Sequence, residues 1–208
     1  MDWARTFEEK RARYERTLVL QGNAAYAAGL ALLMADDPRA GKWLRRASAR
    51  WRDSWDAGAP PDAWGRPIGA LKASLLAGDD EAVRELADWT LGLGAVDAPS
   101  PVGRYAATLA LLALARMDQA AELAESLRAA DGFPRDVADA LLANARGDAD
   151  AWAAAIASVV RSFETREEFL EDVPVADTAL VLAELARRCG LVAALPASRV
   201  LPAAAAAV

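Results

Sequence analysis

The chain has 208 residues, of which 54% are hydrophobic and 26% charged, a balance typical of a folded globular protein rather than a disordered one. The formal net charge of −6 disfavours attraction of the whole surface to nucleic acid or to an anionic membrane. The chain has no histidine, which removes the most common general base and a frequent metal ligand. We therefore expect a protein that is not an enzyme and that holds no metal or other cofactor.

The N-terminal residues are charged and lack the apolar stretch of a signal peptide. The longest apolar runs, 24–35 and 105–115, each have roughly a dozen residues, whereas a membrane-spanning helix needs about 20. The single cysteine, Cys189, excludes an intrachain disulfide. These features predict a cytoplasmic protein without a membrane segment.

Hydrophobic residues recur at helical spacing along nearly the whole chain, whereas strand patterns are almost absent. A clear example is the stripe formed by Trp152, Ile156, Val159 and Phe163, with steps of four, three and four residues. In chain order the pattern predicts helices near residues 3–20, 22–35, 38–57, 64–77, 80–94, 101–116, 118–130, 134–146, 149–163, 166–172 and 174–189.

Residues that favour helix ends lie between these segments. They predict N-caps followed by a first-turn proline, a capping box, and a glycine just after a basic last turn. The residues concerned are Asp37-Pro38 and Ser100-Pro101, Thr165 with Glu168, and Gly190.

A weak repeat places an aspartate-containing turn between an apolar helix end and an alanine-rich helix. The turn residues Asp36, Asp79, Asp118 and Asp148 lie about 43, 39 and 30 residues apart, within the range of stacked helical hairpins. We interpret the acidic pairs at these turns as helix caps rather than catalytic dyads. The predicted fold is all-α, with irregular stacked helical hairpins of an α-solenoid or tetratricopeptide-like kind. One domain is expected over residues 1–202, followed by a low-complexity tail at 203–208.

The strongest candidate for a binding site lies in residues 39–55, RAGKWLRRASARWRDSW. Three tryptophans share one predicted helix face and six cations surround them in an otherwise acidic protein. Tryptophan and arginine are enriched at the centres of protein interfaces, and arginine stacks on indole rings. The cations are Arg39, Lys42, Arg45, Arg46, Arg50 and Arg52. The predicted partner-binding residues are Trp43, Arg46, Arg50, Trp51 and Trp55, with Trp64 in the following loop.

The same spacing permits a structural interpretation, which the sequence leaves open. The tryptophans would then fill the core between uneven hairpins, and the arginines would pair with acidic side chains on neighbouring helices.

Three further features allow both a chemical and a structural interpretation. Lys72 is either a desolvated base or a residue at the edge of an apolar stripe with its amine in solvent. Acidic residues between 164 and 172 are either metal ligands or the first-turn acids of a helix. Cys189 is either a nucleophile or a buried structural residue, and the lack of histidine favours the second role.

Three segments resemble the helical Immunity protein 49 family of bacterial polymorphic-toxin systems. They are WGRPIGALKASLLAGDDEAV, GDADAWAAAIASVVRSFETREE and VADTALVLAELARRCGLVAALPASRVLP, and the resemblance covers roughly residues 64–202. It implies a cytoplasmic antitoxin that binds and neutralises a toxin effector, and it brings no catalytic residues with it.

We therefore predict a non-catalytic module whose partner is another protein, such as an acidic toxin effector. Two alternatives stay open: an enzyme or small-ligand binder that uses an interhelical pocket, and a nucleic-acid-binding protein that uses residues 39–52. Nucleic acid is the less favoured partner because of the net charge. A homodimer is also compatible with the sequence.

Overall fold

A computed structural model describes residues 3–191 and 194–206, and all regular secondary structure within these residues is helical, so the predicted all-α class is confirmed. The α-helices are α1 (Trp3–Met34), α2 (Ala40–Asp56), α3 (Gly65–Leu76), α4 (Asp80–Gly92), α5 (Pro101–Ala113), α6 (Met117–Arg128), α7 (Arg135–Arg146), α8 (Ala149–Glu164) and α9 (Asp177–Arg188). Short 3₁₀ turns lie at Ala95–Asp97, Leu170–Asp172 and Ala203–Ala206.

Helix α1 is one continuous helix where the sequence predicted two. The break was placed near Gly22, but glycine has a different role at this position. A Cβ atom on Gly22 would lie 2.8 Å from the indole ring of Trp51, so the missing side chain allows α2 to approach α1 closely. The helix continues through Gly22 because its cost in helix propensity, about 1 kcal/mol relative to alanine, is offset by this packing.

The predicted helix at 166–172 does not form, and only a short 3₁₀ turn occurs there, at Leu170–Asp172. Thr165 ends α8 instead of starting a new helix, and its hydroxyl donates to the carbonyl oxygen of Arg161 at 3.3 Å. The capping box with Glu168 was therefore wrong. Pro174 disfavours helical backbone in the residue before it, and α9 begins at Asp177 rather than at 174.

Several predicted helix ends are confirmed. The side chains of Asp79, Ser100 and Asp148 accept hydrogen bonds from backbone N–H groups in the first turns of α4, α5 and α8. Gly190 follows α9 with a left-handed φ of 75°, as expected for a glycine just past a helix end.

The other turn aspartates do not act as helix N-caps. Asp36 has a left-handed φ of 51° at the end of α1, and Asp118 lies inside the first turn of α6. The Asp37 carboxylate accepts from the backbone N–H of Arg39 at 2.8 Å, but α2 begins only at Ala40. The side chain and backbone N–H of Arg39 lower the pKa of Asp37 to about 2.

Consecutive helices contact one another from α1 to α8, and α3, α5 and α7 also contact each other in order. Helix α9 then returns across the array and contacts α3, α5, α7 and α8. This return places Asp177, the first residue of α9, beside α1 and α3. A backbone hydrogen bond from Ala176 N–H to the Val200 carbonyl, 2.8 Å long, joins the start of α9 to the C-terminal segment.

The predicted low-complexity tail at 203–208 is described only in part. Leu201 and Pro202 just before it are buried, and Ala203–Ala206 form a 3₁₀ turn. Residues 207–208 lie outside the described part of the chain.

The described residues contain one helix, Thr6–Met34 within α1, that is long and apolar enough to cross a membrane by length and composition alone. The apolar stretch is longer than the run at 24–35 suggested, since residues 17–23 carry no charge. Core helices of soluble proteins meet the same criteria, and 39% of the apolar window is buried inside the fold, including Leu18 and Leu30. The location of the protein stays a prediction.

Helix α3 approaches α2 at a second glycine, Gly69, where a Cβ atom would lie 2.7 Å from the Trp51 ring. We expect Gly69→Ala to lower the free energy of unfolding by about 1–3 kcal/mol, because the added methyl group overpacks the contact. Gly65→Ala, on the same helix, is the matched control, since no atom lies within 4 Å of its Cβ position. Urea denaturation measures both effects, and equal stability of the two variants would contradict the expected contact.

Candidate functional site

The predicted docking residues Trp51 and Trp64 are buried, with 5% and 7% of their surface exposed, so a partner does not reach them. Trp51 lies between Gly22 of α1 and Gly69 of α3. Its indole N–H donates to the Asn23 side-chain oxygen at 3.2 Å. Their assignment as partner-binding residues was therefore wrong, because the face that carries Trp51 is the one that packs against α1 and α3.

Trp55 is half-buried in an aromatic cluster. Its ring lies 6.0 Å from Trp64 and 5.9 Å from Trp89, the latter in an edge-to-face arrangement. The Arg52 guanidinium covers Trp89 at 4.2 Å from the ring centroid. Trp55 thus joins α2 to the loop before α3 and to α4.

Several cations of the 39–55 segment are neutralised. Arg50, which is half-buried, donates to the Asp53 carboxylate at 2.9 Å. Arg39 pairs with Asp37 at 2.7 Å. Arg52 is 3.3 Å from the Asp56 carboxylate. These arginines pair with acidic side chains, but mostly within α2 or the turn before it; among the described residues, Arg52 of this group also approaches a neighbouring helix, 3.9 Å from Glu85 of α4. The structural interpretation of the sequence, which expected partners on neighbouring helices, is therefore correct only in part.

Four other residues of α2 lie at the surface, away from the acidic partners described above. Lys42, Arg45 and Arg46 are exposed and form no ion pair with the described residues. The Arg46 guanidinium lies over the ring of Trp43, 5.4 Å from its centroid, within the range of a cation–π interaction. Trp43 packs against the main core with its inner side and stays partly exposed. We call Lys42, Trp43, Arg45 and Arg46 the basic patch.

A second candidate is a cleft of about 280 Å³ that involves α1, α2, α3 and the first residue of α9. On its wall Lys72 Nζ lies 2.5 Å from Asp177 Oδ2, with side chains 12% and 18% exposed. The Tyr26 hydroxyl donates to the same carboxylate oxygen at 2.9 Å, and Lys72 also donates to the Thr178 hydroxyl at 3.1 Å. The amine of Lys72 therefore lies within the fold and does not extend into solvent, which corrects the structural interpretation of this residue.

The charges of Lys72 and Asp177 follow from their positions next to each other and to Tyr26. Burial alone disfavours the ammonium form, but the Asp177 carboxylate outweighs it and raises the pKa of Lys72 above its ordinary value. Burial likewise opposes ionisation of Asp177, but Lys72 and the hydrogen bond from Tyr26 lower the pKa of Asp177 overall. Burial and the neighbouring carboxylate raise the pKa of Tyr26. At neutral pH the pair is therefore charged, whereas a lysine that acts as a base or forms a Schiff base needs a lowered pKa.

The cleft contains a second ion pair, in which Arg66 Nη2 lies 2.5 Å from the Glu15 carboxylate. Because both cations of the cleft already have a carboxylate partner, they hold α1, α3 and α9 together. The use of this cleft for a small ligand stays an alternative prediction.

The remaining sequence candidates lie apart from both sites. Cys189 is partly buried and its thiol is 4.0 Å from the Leu112 carbonyl oxygen. Burial raises the pKa of this thiol, and this disfavours the reactive thiolate. Between residues 164 and 172, Glu164 accepts a hydrogen bond from the Ser198 hydroxyl at 2.6 Å, so it anchors the C-terminal segment. Among the described residues no group of three or more acidic or cysteine side chains is arranged to hold a metal ion.

Sequence reasoning missed Asp177 and Tyr26, because their meeting depends on the return of α9 to α1. An acidic residue in the first turn of a helix is ordinary, so Asp177 gave no separate signal.

Comparisons of the chain with protein-family models, with curated proteins and with solved structures find no match. The resemblance to the Immunity protein 49 family is therefore untested.

Proposed function

We propose that this chain is a non-catalytic helical scaffold that binds an acidic protein through the basic patch of α2. The observation that carries the proposal is that three cations are exposed and form no ion pair within the described part of a chain of net charge −6. Acidic side chains are abundant, and Arg39, Arg50 and Arg52 on the same segment have acidic partners. The patch thus stands out against its own surroundings as a place where a partner can supply the missing carboxylates.

The patch has the chemistry of an interface centre. Arg46 stacked on Trp43 presents a guanidinium with less freedom than a fully exposed arginine, so less entropy is lost when a carboxylate binds it. Lys42 and Arg45 add positive potential, which speeds the encounter with an acidic partner. A patch of only three cations is a small footprint for nucleic acid, whose affinity depends on several phosphate contacts.

The scaffold supports the same conclusion. Helix α2 is held between α1 and α3 by Trp51, so the basic patch is presented on a rigid element. We interpret the consecutive packing of α1 to α8 as irregular stacked hairpins, an architecture that offers broad surfaces for binding proteins. The return of α9 against α3, α5 and α7 covers one side of this array and directs binding to its other surfaces.

In biological terms we propose an immunity protein that neutralises a toxin effector in the cytoplasm. The support is the resemblance of residues 64–202 to the Immunity protein 49 family, together with a basic patch suited to an acidic effector.

The test uses charge reversal in the full chain. We expect Lys42→Glu/Arg45→Glu/Arg46→Glu to weaken binding to the protein encoded by the neighbouring gene by at least about tenfold, since it replaces attraction by repulsion. Isothermal titration calorimetry at two salt concentrations measures this loss, and the loss should shrink at high salt. Co-expression with the same protein measures protection from toxicity.

The matched control is Arg116→Glu/Arg135→Glu/Arg161→Glu, which changes the net charge equally at exposed positions outside the patch. It should bind like the unmodified chain. Equal affinity of the two triple variants would reject the patch as the binding site. Binding of DNA at low salt that only the patch variant loses would instead indicate a nucleic-acid partner.

A further inference from the structure

A small cavity lies where the end of α8 meets the loop before α9 and the C-terminal segment. Its volume is about 280 Å³, and its walls carry two phenylalanines, a proline, a valine and two arginines. These residues are Phe163, Arg166, Phe169, Pro174, Arg199 and Val200. None of them belongs to the basic patch or to the cleft around Lys72. We call this cavity the Phe–Arg pocket.

Contacts between the three segments fix the walls of the Phe–Arg pocket. Phe163, in the last turn of α8, is buried, and its ring centroid lies 6.4 Å from that of Phe169 in the loop. The C-terminal segment is attached at the same place, because the Ser198 hydroxyl donates to the Glu164 carboxylate at 2.6 Å. Val200, two residues further on, is buried. The pocket is therefore formed by the fold itself, as most small-ligand sites are.

Two guanidinium groups line this pocket without a carboxylate partner. Within the part of the chain that the structure describes, Arg166 and Arg199 form no ion pair. The Arg166 guanidinium lies on the Phe163 ring, 3.7 Å from its centroid. Arg199 donates one hydrogen bond, 2.8 Å long, to the Glu164 carbonyl oxygen, and an arginine has five N–H donors. Both groups are thus held in position and keep N–H donors for a ligand.

The charge inside the Phe–Arg pocket is positive. Among the residues that line it, only the two arginines are charged. Glu167 and Glu168 follow Arg166 in the chain, but both are exposed and neither lines the pocket. The pocket thus combines a positive potential with walls that are otherwise apolar.

We infer that the Phe–Arg pocket binds a small monocarboxylate with a compact apolar body, such as a phenyl ring. The carboxylate pairs with Arg166 and Arg199, whose planar N–H groups match its geometry. The apolar body packs on Phe169, Pro174 and Val200. The volume lies just below the range of about 300–1,000 Å³ for pockets of drug-sized ligands, so the ligand is smaller than these. This activity goes beyond the proposed function and uses none of the basic-patch residues.

The chemistry of the walls selects this class of ligand. A neutral apolar molecule would cover both guanidinium groups without giving them a partner, which costs free energy. Inorganic phosphate would pair with the arginines but would leave the apolar walls uncovered. A carboxylate with an apolar body satisfies both parts of the pocket. The same chemistry occurs in a free metabolite and at the C-terminus of a protein that ends in an apolar residue.

An NMR titration of the full chain with phenylacetate tests the inference. We expect the backbone amide signals of residues 163–169 and 198–200 to shift, with a dissociation constant of about 1 mM or tighter, an ordinary affinity for a ligand of about ten non-hydrogen atoms. Arg166→Gln and Arg199→Gln should each weaken binding at least about tenfold, since each removes a charged hydrogen-bond donor. If Arg199→Gln also lowers the thermal midpoint, Arg166→Gln still decides, because its side chain is exposed and stacks on a ring of the adjoining helix end.

The matched control is Arg161→Gln, which replaces an exposed arginine in the last turn of α8 that does not line the pocket. It should bind phenylacetate like the unmodified chain. Phenylacetamide has the same ring but no charge, and it should bind at least about tenfold more weakly. The inference is overturned if phenylacetate does not bind, if phenylacetamide binds equally well, or if Arg161→Gln and Arg166→Gln lose the same affinity.

A second probe, acetyl-glycyl-phenylalanine, distinguishes the two sources of the carboxylate. Tighter binding of this peptide than of phenylacetate would support the inference with a protein C-terminus as the ligand. Weaker binding would support it with a free metabolite. Tighter binding of inorganic phosphate than of either probe would overturn it, because the apolar walls would then have no part in recognition.

Discussion

Lys72→Met is expected to lower the free energy of unfolding by about 3–5 kcal/mol, the usual cost of removing one partner of a buried ion pair. The substitution leaves the Asp177 carboxylate in the cleft with only Tyr26 and the N–H and hydroxyl of Thr178 beside it. These groups donate hydrogen bonds but carry no positive charge. Urea denaturation followed by circular dichroism measures the loss.

A double variant tests whether the unpaired charge of Asp177 causes this loss of stability. Lys72→Met/Asp177→Asn removes the uncompensated charge, and the asparagine oxygen can still accept from Tyr26. We expect the double variant to recover part of the lost stability, because exchange of a whole buried pair costs less than exchange of one member. A double variant that is less stable than Lys72→Met would show that the pair does not act as described.

The pH dependence of this effect has a defined sign. The pKa of Asp177 is lowered in the folded protein, so its contribution is present above the unfolded value, near pH 4, and is lost as the pH falls through the folded value. The pKa of Lys72 is raised, so its contribution is present below the unfolded value, near pH 10, and is lost as the pH rises through the folded value. Between about pH 5 and pH 9 the difference in free energy of unfolding between the unmodified chain and Lys72→Met should stay constant. In acid this difference should become smaller.

The helical class was predictable because successive turns of nearly every segment place apolar residues on one side, as in Trp152, Ile156, Val159 and Phe163. Helix ends were predictable where a side chain acts within its own turn, as Asp79 and Asp148 do. The continuity of α1 through Gly22 was not predictable, because this position needs a glycine to make room for Trp51, which lies in another helix. Local chemistry is visible in a sequence, whereas contacts between helices are not.

The same limit applies to the candidate site. Spacing by four places Trp43, Trp51 and Trp55 on one broad side of α2, and a core side and a docking side have the same spacing. Packing of α1 and α3 decided that Trp51 is buried and that Trp43 is only partly covered.

Trp51→Ala is expected to lower the free energy of unfolding by about 3–5 kcal/mol, as for other large core side chains replaced by alanine. The substitution empties the space between Gly22 and Gly69, and neither glycine has a side chain that could move into it. It also removes the ring that lies 5.2 Å from Tyr26 and the hydrogen bond to Asn23. Thermal and urea denaturation both measure the loss.

The matched control is Trp43→Ala, which removes the same side chain from the partly exposed position beneath Arg46. Trp43→Ala should lower the free energy of unfolding by clearly less than Trp51→Ala, since less of the Trp43 surface is buried. It should nevertheless weaken partner binding, because the Arg46 guanidinium no longer has an aromatic ring beneath it. The two tryptophans therefore separate folding from recognition on a single helix. If Trp51→Ala left stability unchanged and abolished binding, Trp51 would belong to a docking face after all, and the packing of α2 between α1 and α3 would have to open in the complex.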